Sequence, residues 1–211
     1  MKQRNNTGAS LLIPRIYHQS VKNNATLQCD SRWERDFLTD QEFNPMVKRF
    51  MSQPLSFVYS INGKKRRYTG DVRVEFTDGS FADYEIKDKA YANDEKLLAK
   101  IEYVSSLLKK HQNSSLTLVT SADIHADPSH VTRKILYPYK YLTINRELEI
   151  KALKALYKAQ RSIKDLEERF EKQGYERFNA WTFLAKHYSS IVFHGNPNIS
   201  SSTLISWKVS S

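Results

Sequence analysis

The chain has a single cysteine, Cys29, so it can form no intramolecular disulfide and offers no cysteine cluster for structural zinc. Its six histidines include no pair at a metal-ligand spacing such as H-E-x-x-H, so a metal site would have to be built mainly from carboxylates. No apolar run approaches the roughly 18 to 20 residues that a membrane-spanning helix requires. Residues 1–20 are polar and interrupted by Pro14, unlike a signal-peptide core. A cytoplasmic protein with no membrane partner is therefore expected. Internal repeats are also lacking.

What is present is a hydrophobic content of 40% with 12% aromatic residues, enough to exclude a wholly disordered chain. At 211 residues it can form one larger domain, or a domain of ~130 to 150 residues plus a small appendix. The 33 Lys and Arg exceed the 23 Asp and Glu by ten, which favours a polyanionic partner. Residues 1–67 hold twelve of the cations and five of the acids, so most of the surplus is N-terminal. From Phe178 onward the only formal charges are Lys186 and Lys208, among aromatic, Ser and Asn residues. That stretch reads as a packed small module, unlike an arm that tracks phosphates.

Residues 1–29 read as an irregular, loosely attached arm. Ser31 and Glu34 have capping-box spacing, and Trp33, Phe37 and Leu38 predict one apolar side of a helix to about Phe43. Asn44-Pro45 predicts a short second helix ending near Gln53-Pro54. Leu55 to Ile61 alternates into an Asn62-Gly63 hairpin turn, followed by a strand from Lys65 to Phe76. Asp78-Gly79 turns that strand into Ser80 to Lys87. A helix over Asp94 to Lys110 and a buried strand over Leu116 to Thr120 complete the order of an α/β core with a mixed sheet. One long helix is predicted over Arg146 to Gln173, with a mixed-sign charged face and Gly174 as its stop. Beyond it come a helix over about Ala180 to Tyr188, a turn at Gly195-Asn196-Pro197, and a short helix or strand over Ser202 to Val209.

The chemistry concentrates in Tyr68-Thr69-Gly70-Asp71 and Tyr84-Glu85-Ile86-Lys87. An Asp near one strand and a Glu-x-Lys on the next suit a metal-dependent phosphodiester hydrolase. Carboxylates hold Mg²⁺, the metal acidifies a bound water and offsets transition-state charge, and a lysine positions the water. Glu85 and Lys87 share a strand face. A two-residue Asp78-Gly79 loop would set Asp71 opposite Ile86 and mix polar and apolar residues on both faces. A three-residue loop, with Gly79 left-handed in a bulge, sets Asp71 opposite Glu85. One face then carries Val72, Val74, Phe76, Ala82, Tyr84 and Ile86. The other carries Asp71, Arg73, Asp83, Glu85 and Lys87, so core packing and the metal site require the same register.

Polar alternation on a hairpin also describes a solvated face, and Glu34 is accounted for equally by its cap and by a role as ligand. The flanking helices and strand favour the catalytic reading. Asp83 and Asp88 read as solvated charges, and Lys89 replaces Lys87 only if the strand bulges. Lys64, Lys65, Arg66 and Arg67, just before the site, read as DNA phosphate contacts, with a solubilising turn as the plainer alternative.

These residues resemble the PD-(D/E)xK, restriction-endonuclease-like superfamily, and more narrowly the TnsA endonuclease subunit of heteromeric Tn seven-like transposases. The narrower likeness is carried by the order Ser31-x-x-Glu34, Pro45-x-Val47, Gln53-Pro54, Tyr68-Thr69-Gly70-Asp71, Glu85-x-Lys87 and Leu116-x-Leu118-Val119-Thr120. It covers about residues 10 to 145. Gly70 stands where the family usually has Pro and Val72 where it often has Phe; neither departure removes a ligand. The resemblance implies that residues 30–145 are the nuclease domain. It implies Glu34, Asp71 and Glu85 as ligands of Mg²⁺, with Mn²⁺ able to substitute, and Lys87 as the water-orienting or charge-stabilising lysine. It implies cleavage of the 5′ strands of double-stranded DNA at transposon ends in the bacterial cytosol, while a DDE-family transposase processes the 3′ ends. Residues 146–211, with Thr203-Leu204-Ile205, would be a helical, winged-helix-like domain contacting that transposase and an AAA+ ATPase regulator. The short chain further resembles the TnsA of CRISPR-associated transposons. A stand-alone restriction or repair nuclease and a non-catalytic DNA-binding adaptor are the alternatives.

Overall fold

The structure is a computed structural model that describes residues 16–54, 56–61 and 63–208. The expectations for residues 1–15, for Leu55, for Asn62 and for Val209 lie outside them. The chain divides into two compact units, Met1–Ala126 and Asp127–Ser211. Residues 127–145, assigned from sequence to the nuclease domain, thus group with the C-terminal unit.

In the first unit β1 (Ile16–Ser20) and β2 (Ala25–Cys29) form an antiparallel hairpin where a loose arm was expected. The turn is made at Asn24, whose φ of 49° is the left-handed conformation asparagine tolerates. The hairpin is tied down by a buried acid. Glu42 accepts from Ser20 Oγ at 2.8 Å and from the backbone N–H groups of Val21 and Lys22 at 3.0 Å each. Burial alone would raise the Glu42 pKa, but its hydrogen bonds from His18, Ser20 and Lys22 outweigh this and hold it below the ordinary value.

Helix α1 (Arg32–Phe43) begins at Ser31 as expected. After it the predicted second helix is instead β3 (Val47–Ser52), which pairs with β6. Tertiary pairing outcompetes the local Asn-Pro start signal there, because the six-residue strand supplies an edge to the sheet. The strand expected over Lys65 to Phe76 breaks at Thr69-Gly70-Asp71 into β5 (Lys64–Tyr68), which pairs with β4 (Phe57–Ile61), and β6 (Val72–Phe76), which joins the main sheet. That sheet runs β3-β6-β7-β8, with β7 (Phe81–Lys87) parallel to β8 (Ser114–Thr120) and the other pairs antiparallel. Helix α2 (Glu95–Gln112) makes the crossover between the parallel strands, and α3 (Ser121–Ala126) follows β8. This is an α/β unit with a mixed sheet flanked by helices.

The β6–β7 register is the one that core packing demanded. Val72 pairs with Tyr84, Arg73 with Asp83 and Val74 with Ala82. Val72, Val74 and Ile86 are buried with Phe37 and Leu38 of α1, while Leu116 and Leu118 of β8 pack with Ile101, Val104 and Leu108 of α2 on the other face. A one-residue slip would expose each of those valines at roughly 1.5–3 kcal/mol and drive carboxylates into the α1 core. Gly79 sits in the turn at φ 86° and donates its N–H to Phe76 O at 3.1 Å. A Gly79→Val variant should lose about 1–2 kcal/mol through left-handed strain. A urea titration should show a lower midpoint at unchanged m; an unchanged midpoint would contradict this turn geometry.

In the second unit α4 (Ser129–Leu136) leads through a short 3₁₀ turn, Tyr137–Tyr139, to α5 (Arg146–Lys158). The single long helix expected up to Gln173 is interrupted by β9 (Arg161–Ser162), after which Ser162 caps α6 (Ile163–Glu171) by accepting from Asp165 N at 3.1 Å. The break occurs because Arg161 and Ser162 pair with β11, while the apolar spacing runs on through the junction. Helix α7 (Phe178–Lys186), β10 (Ile191–His194) and β11 (Leu204–Trp207) complete the unit, with the sheet ordered β10-β11-β9. Among the described residues no helix is long and apolar enough to cross a membrane.

Candidate active site

Asp71 sits at the junction between β5 and β6, one residue before the ladder begins. Its backbone N–H donates to Tyr84 O at 3.0 Å, and its carbonyl accepts from Gln53 N at 2.7 Å. Its carboxylate continues the strand pairing by other means: Oδ2 accepts from Ile86 N at 2.7 Å and from Lys87 Nζ at 2.9 Å. Oδ1 has no hydrogen bond among the described residues and is available to a ligand. The backbone itself therefore aims this side chain at Lys87. Nothing geometric demands glycine at Gly70, where an added Cβ would stand 3.8 Å from Tyr68 and from Tyr84 O.

Glu85 and Lys87 lie on the α2-facing side of β7, where alternation put them. Glu85 is buried and its Oε1 stands 3.3 Å from Lys87 Nζ. Lys87 thus bridges Asp71 and Glu85. Burial pulls the Lys87 pKa down, but the charges and hydrogen bonds of the two carboxylates outweigh it and raise it above the ordinary value. At neutral pH Lys87 is a protonated hydrogen-bond donor and cannot serve as a general base.

Two further residues complete the environment of Glu85. Tyr68 Oη donates to Oε2 at 2.6 Å, and Lys100 Nζ from α2 approaches Oε1 at 3.4 Å while lying 4.9 Å over the Tyr68 ring. Burial, and then the charge of Glu85, push the Tyr68 phenol far above its ordinary pKa, so it stays a neutral donor. Lys100 was not foreseen. Its signal was a lysine three residues after Leu97 and four before Val104, on the inner stripe of an amphipathic helix.

Glu34 makes the Ser31 half of the capping box that its spacing implied, while its side chain reaches the N–H of Asp30, one residue before the cap. Its backbone N–H donates to Ser31 Oγ at 3.1 Å, and its Oε2 accepts from Asp30 N at 2.9 Å. Burial, with the nearby charges of Asp71 and Asp30, outweighs those bonds and pushes its pKa up to about 7. Asp71 is raised as well, by burial first and by Glu85 next, against the opposing pull of Lys87. Among the described residues the group whose ligand atoms all lie within 4.8 Å of one another is Asp36, His125 and His130, two of its three members histidines, where a mainly carboxylate set was expected; Glu34, Asp71 and Glu85 do not form such a group. Asp71 and Glu85 converge on Lys87, whereas Glu34 is coupled to Asp71 through its field.

Asp83 is not the solvated charge expected. It is buried and receives Arg73 through two bonds of 2.8 and 2.9 Å and Ser114 Oγ at 2.7 Å. The cover of β8 and the end of α2, invisible in a hairpin pattern, turns it into a structural ion pair. Asp88 caps the short 3₁₀ turn Lys89–Tyr91 by accepting from Ala90 N at 3.0 Å. Lys64, Lys65, Arg66 and Arg67 form β5 and are all exposed on the two-stranded ribbon. The ribbon is tied to α2 by Tyr103 Oη donating to Ser60 O at 2.9 Å, and its strand leads straight into Tyr68 and Asp71.

Asp71 and Glu85 present carboxylate oxygens, the donor type of a hard divalent cation, and burial raises both Glu34 and Asp71, helped by the charge of Asp71 on Glu34 and of Glu85 on Asp71. No protein-family model matches the chain, and comparison with curated proteins finds no match.

Proposed function

We propose that the chain is a metal-dependent DNA endonuclease whose catalytic residues are Asp71, Glu85 and Lys87, with Glu34 as a further carboxylate. The observation that carries this reading is the convergence of Asp71 and Glu85 on Lys87, at 2.9 and 3.3 Å, across a hairpin whose register the core dictates. Asp71 and Glu85, with Glu34, would hold Mg²⁺ or Mn²⁺, which when bound supplies Lewis-acid stabilisation of phosphoryl charge and an acidified water. Lys87, protonated, donates a hydrogen bond to the attacked phosphate or orients the attacking water. Tyr68, at 2.6 Å from Oε2, and Lys100, at 3.4 Å from Oε1, hold the Glu85 carboxylate in place. The exposed Lys64–Arg67 ribbon holds the DNA backbone beside the carboxylates.

The finer reading is that the enzyme cuts the 5′ strands at transposon ends beside a DDE-family transposase and an AAA+ ATPase regulator, in the manner of TnsA. It rests on the motif order from Ser31 to Thr120. The second unit is read as winged-helix-like. From α5 onward its helix-strand-helix-helix-strand-strand succession and its β10-β11-β9 sheet support that. A supercoiled plasmid carrying transposon ends, incubated with Mg²⁺ and with or without the transposase, tests the proposal. Nicking of 5′ strands only in the presence of the transposase is expected. Cleavage without partners would favour a stand-alone nuclease, and no cleavage under either condition would overturn the enzymatic reading. Tyr68→Phe should reduce apparent Mg²⁺ affinity or nicking by about 10–100-fold, the usual cost of losing a partner that orients a ligand. Equal activity would remove Tyr68 from the site.

A further inference from the structure

A cavity of about 530 Å³ runs between α5 and α6 in the C-terminal unit, and all its charged lining residues are cations: Lys151, Lys154, Lys158, Arg161, Arg169 and Lys172. In sequence this stretch is a helix face of mixed sign. The fold separates the signs. Every acid of α5 and α6 is engaged: Glu147 with Lys151 at 2.6 Å, Glu149 with His187 at 2.6 Å, and Asp165 with Arg169 at 3.0 Å. Glu167 accepts from Trp181 Nε1 at 2.7 Å, Glu168 meets Lys164 at 3.8 Å and Glu171 meets Arg177 at 2.6 Å. Among the described residues Lys154, Lys158 and Lys172 have no acid partner; Arg161 Nε, which makes no hydrogen bond there, stands 3.6 Å from Asp165.

We infer that this groove binds the phosphodiester backbone of double-stranded DNA. Lys151, Lys154 and Lys158 follow one another along α5 over about 10 Å at 1.5 Å per residue, a row suited to successive backbone charges. The large apolar side chains of the floor are covered: Leu166 and Phe170, with Ala152, are 0–2% exposed, which leaves Ala155 and the lysine stems as the open apolar surface. An acidic amphipathic peptide would therefore find charge but no exposed large apolar side chain in the floor to anchor on, which is where peptide affinity resides. A free nucleotide would find no aromatic face, and the only uncharged polar side chain lining the groove, Gln173, is taken up by Lys151 at 2.7 Å. Helix α7 is largely buried, including Ala180, Phe183, Leu184 and Ala185, so the groove, and not this helix, is the DNA contact of the unit.

The inference goes beyond the proposed cleavage and needs only binding, so it is tested with the full chain carrying Asp71→Asn, in EDTA, by fluorescence anisotropy of a 30-base-pair duplex. Combining Lys154→Ala, Lys158→Ala and Lys172→Ala should weaken binding about 10- to 100-fold at physiological salt. It should also lower the magnitude of the slope of log K against log salt by about 2.7, three contacts at about 0.9 each. A control triple, Lys164→Ala, Lys186→Ala and Lys208→Ala, removes the same charge away from the groove and should leave the slope nearly unchanged. Equal weakening by both triples, or none by the groove triple, would overturn the inference. Binding of a poly-glutamate peptide that matches that of the duplex and is lost in the groove triple would also overturn it, in favour of an acidic protein partner. Failure of nicking alone would count against the proposed enzyme and leave this surface intact.

Discussion

Asp71→Asn should abolish Mg²⁺-dependent nicking while leaving the fold and DNA binding in place. Asp71 Oδ2 serves two masters, the backbone N–H of Ile86 at 2.7 Å and the ammonium of Lys87 at 2.9 Å. Asparagine keeps an oxygen for the Ile86 N–H but loses the charge that would bind a cation and hold Lys87. The loss of activity should exceed the roughly 10–100-fold typical of supporting residues, because a ligand itself is removed. Asp71→Ala should be equally inactive and also less stable by about 1–3 kcal/mol, since the Ile86 N–H is left without a partner. Plasmid nicking together with urea unfolding separates the two effects. Normal nicking by Asp71→Asn would sink the site assignment; an Ala variant as stable as the wild type would show that the Ile86 bond contributes little.

In EDTA, Glu34 should make the protein less stable as pH rises from about 4.5 through about 7. The sign follows from proton linkage. A carboxyl whose folded pKa lies near 7 binds more protons folded than unfolded across that window, so its contribution falls as pH increases. The full effect is on the order of 3 kcal/mol. Asp71, also raised, acts in the same direction, whereas Glu42, held low, loses its contribution as pH falls. The measurement is therefore a difference. Urea midpoints at pH 5 and 7.5 should diverge less in Glu34→Gln than in the wild type, because glutamine keeps the bond to Ser31 Oγ and an acceptor for the Asp30 N–H and removes the titration. Parallel profiles in the two proteins would show that Glu34 is not shifted by its burial. Added Mg²⁺ should raise wild-type stability more at pH 7.5 than at pH 5, because Glu34, with its pKa up at about 7, is then largely ionised.

Legibility followed the range of the interactions. Helix α1, its Ser31 cap, the Gly79 turn and the β6–β7 register were readable because each is set by neighbours a few residues away or by strict alternation of Val72, Val74, Tyr84 and Ile86. The same alternation put Glu85 and Lys87 on one face. Where reading failed, a distant partner decided. β3 exists because β6 offers it an edge, β9 because β11 does, and the N-terminal hairpin docks because Glu42 lies buried beneath its turn.

By itself the sequence determined a mixed α/β unit, a carboxylate pair with a lysine, and a net charge of +10. Only the tertiary structure decided what those charges do. It buried Asp83 against Arg73, brought Lys100 from α2 onto Glu85, and gathered Lys154, Lys158 and Lys172, which have no acid partner among the described residues, along the α5–α6 groove. Sequence spacing reports which side chains share a face. Pairing between faces depends on elements far apart along the chain, and it is that pairing which sets the burial and the local field of every charge.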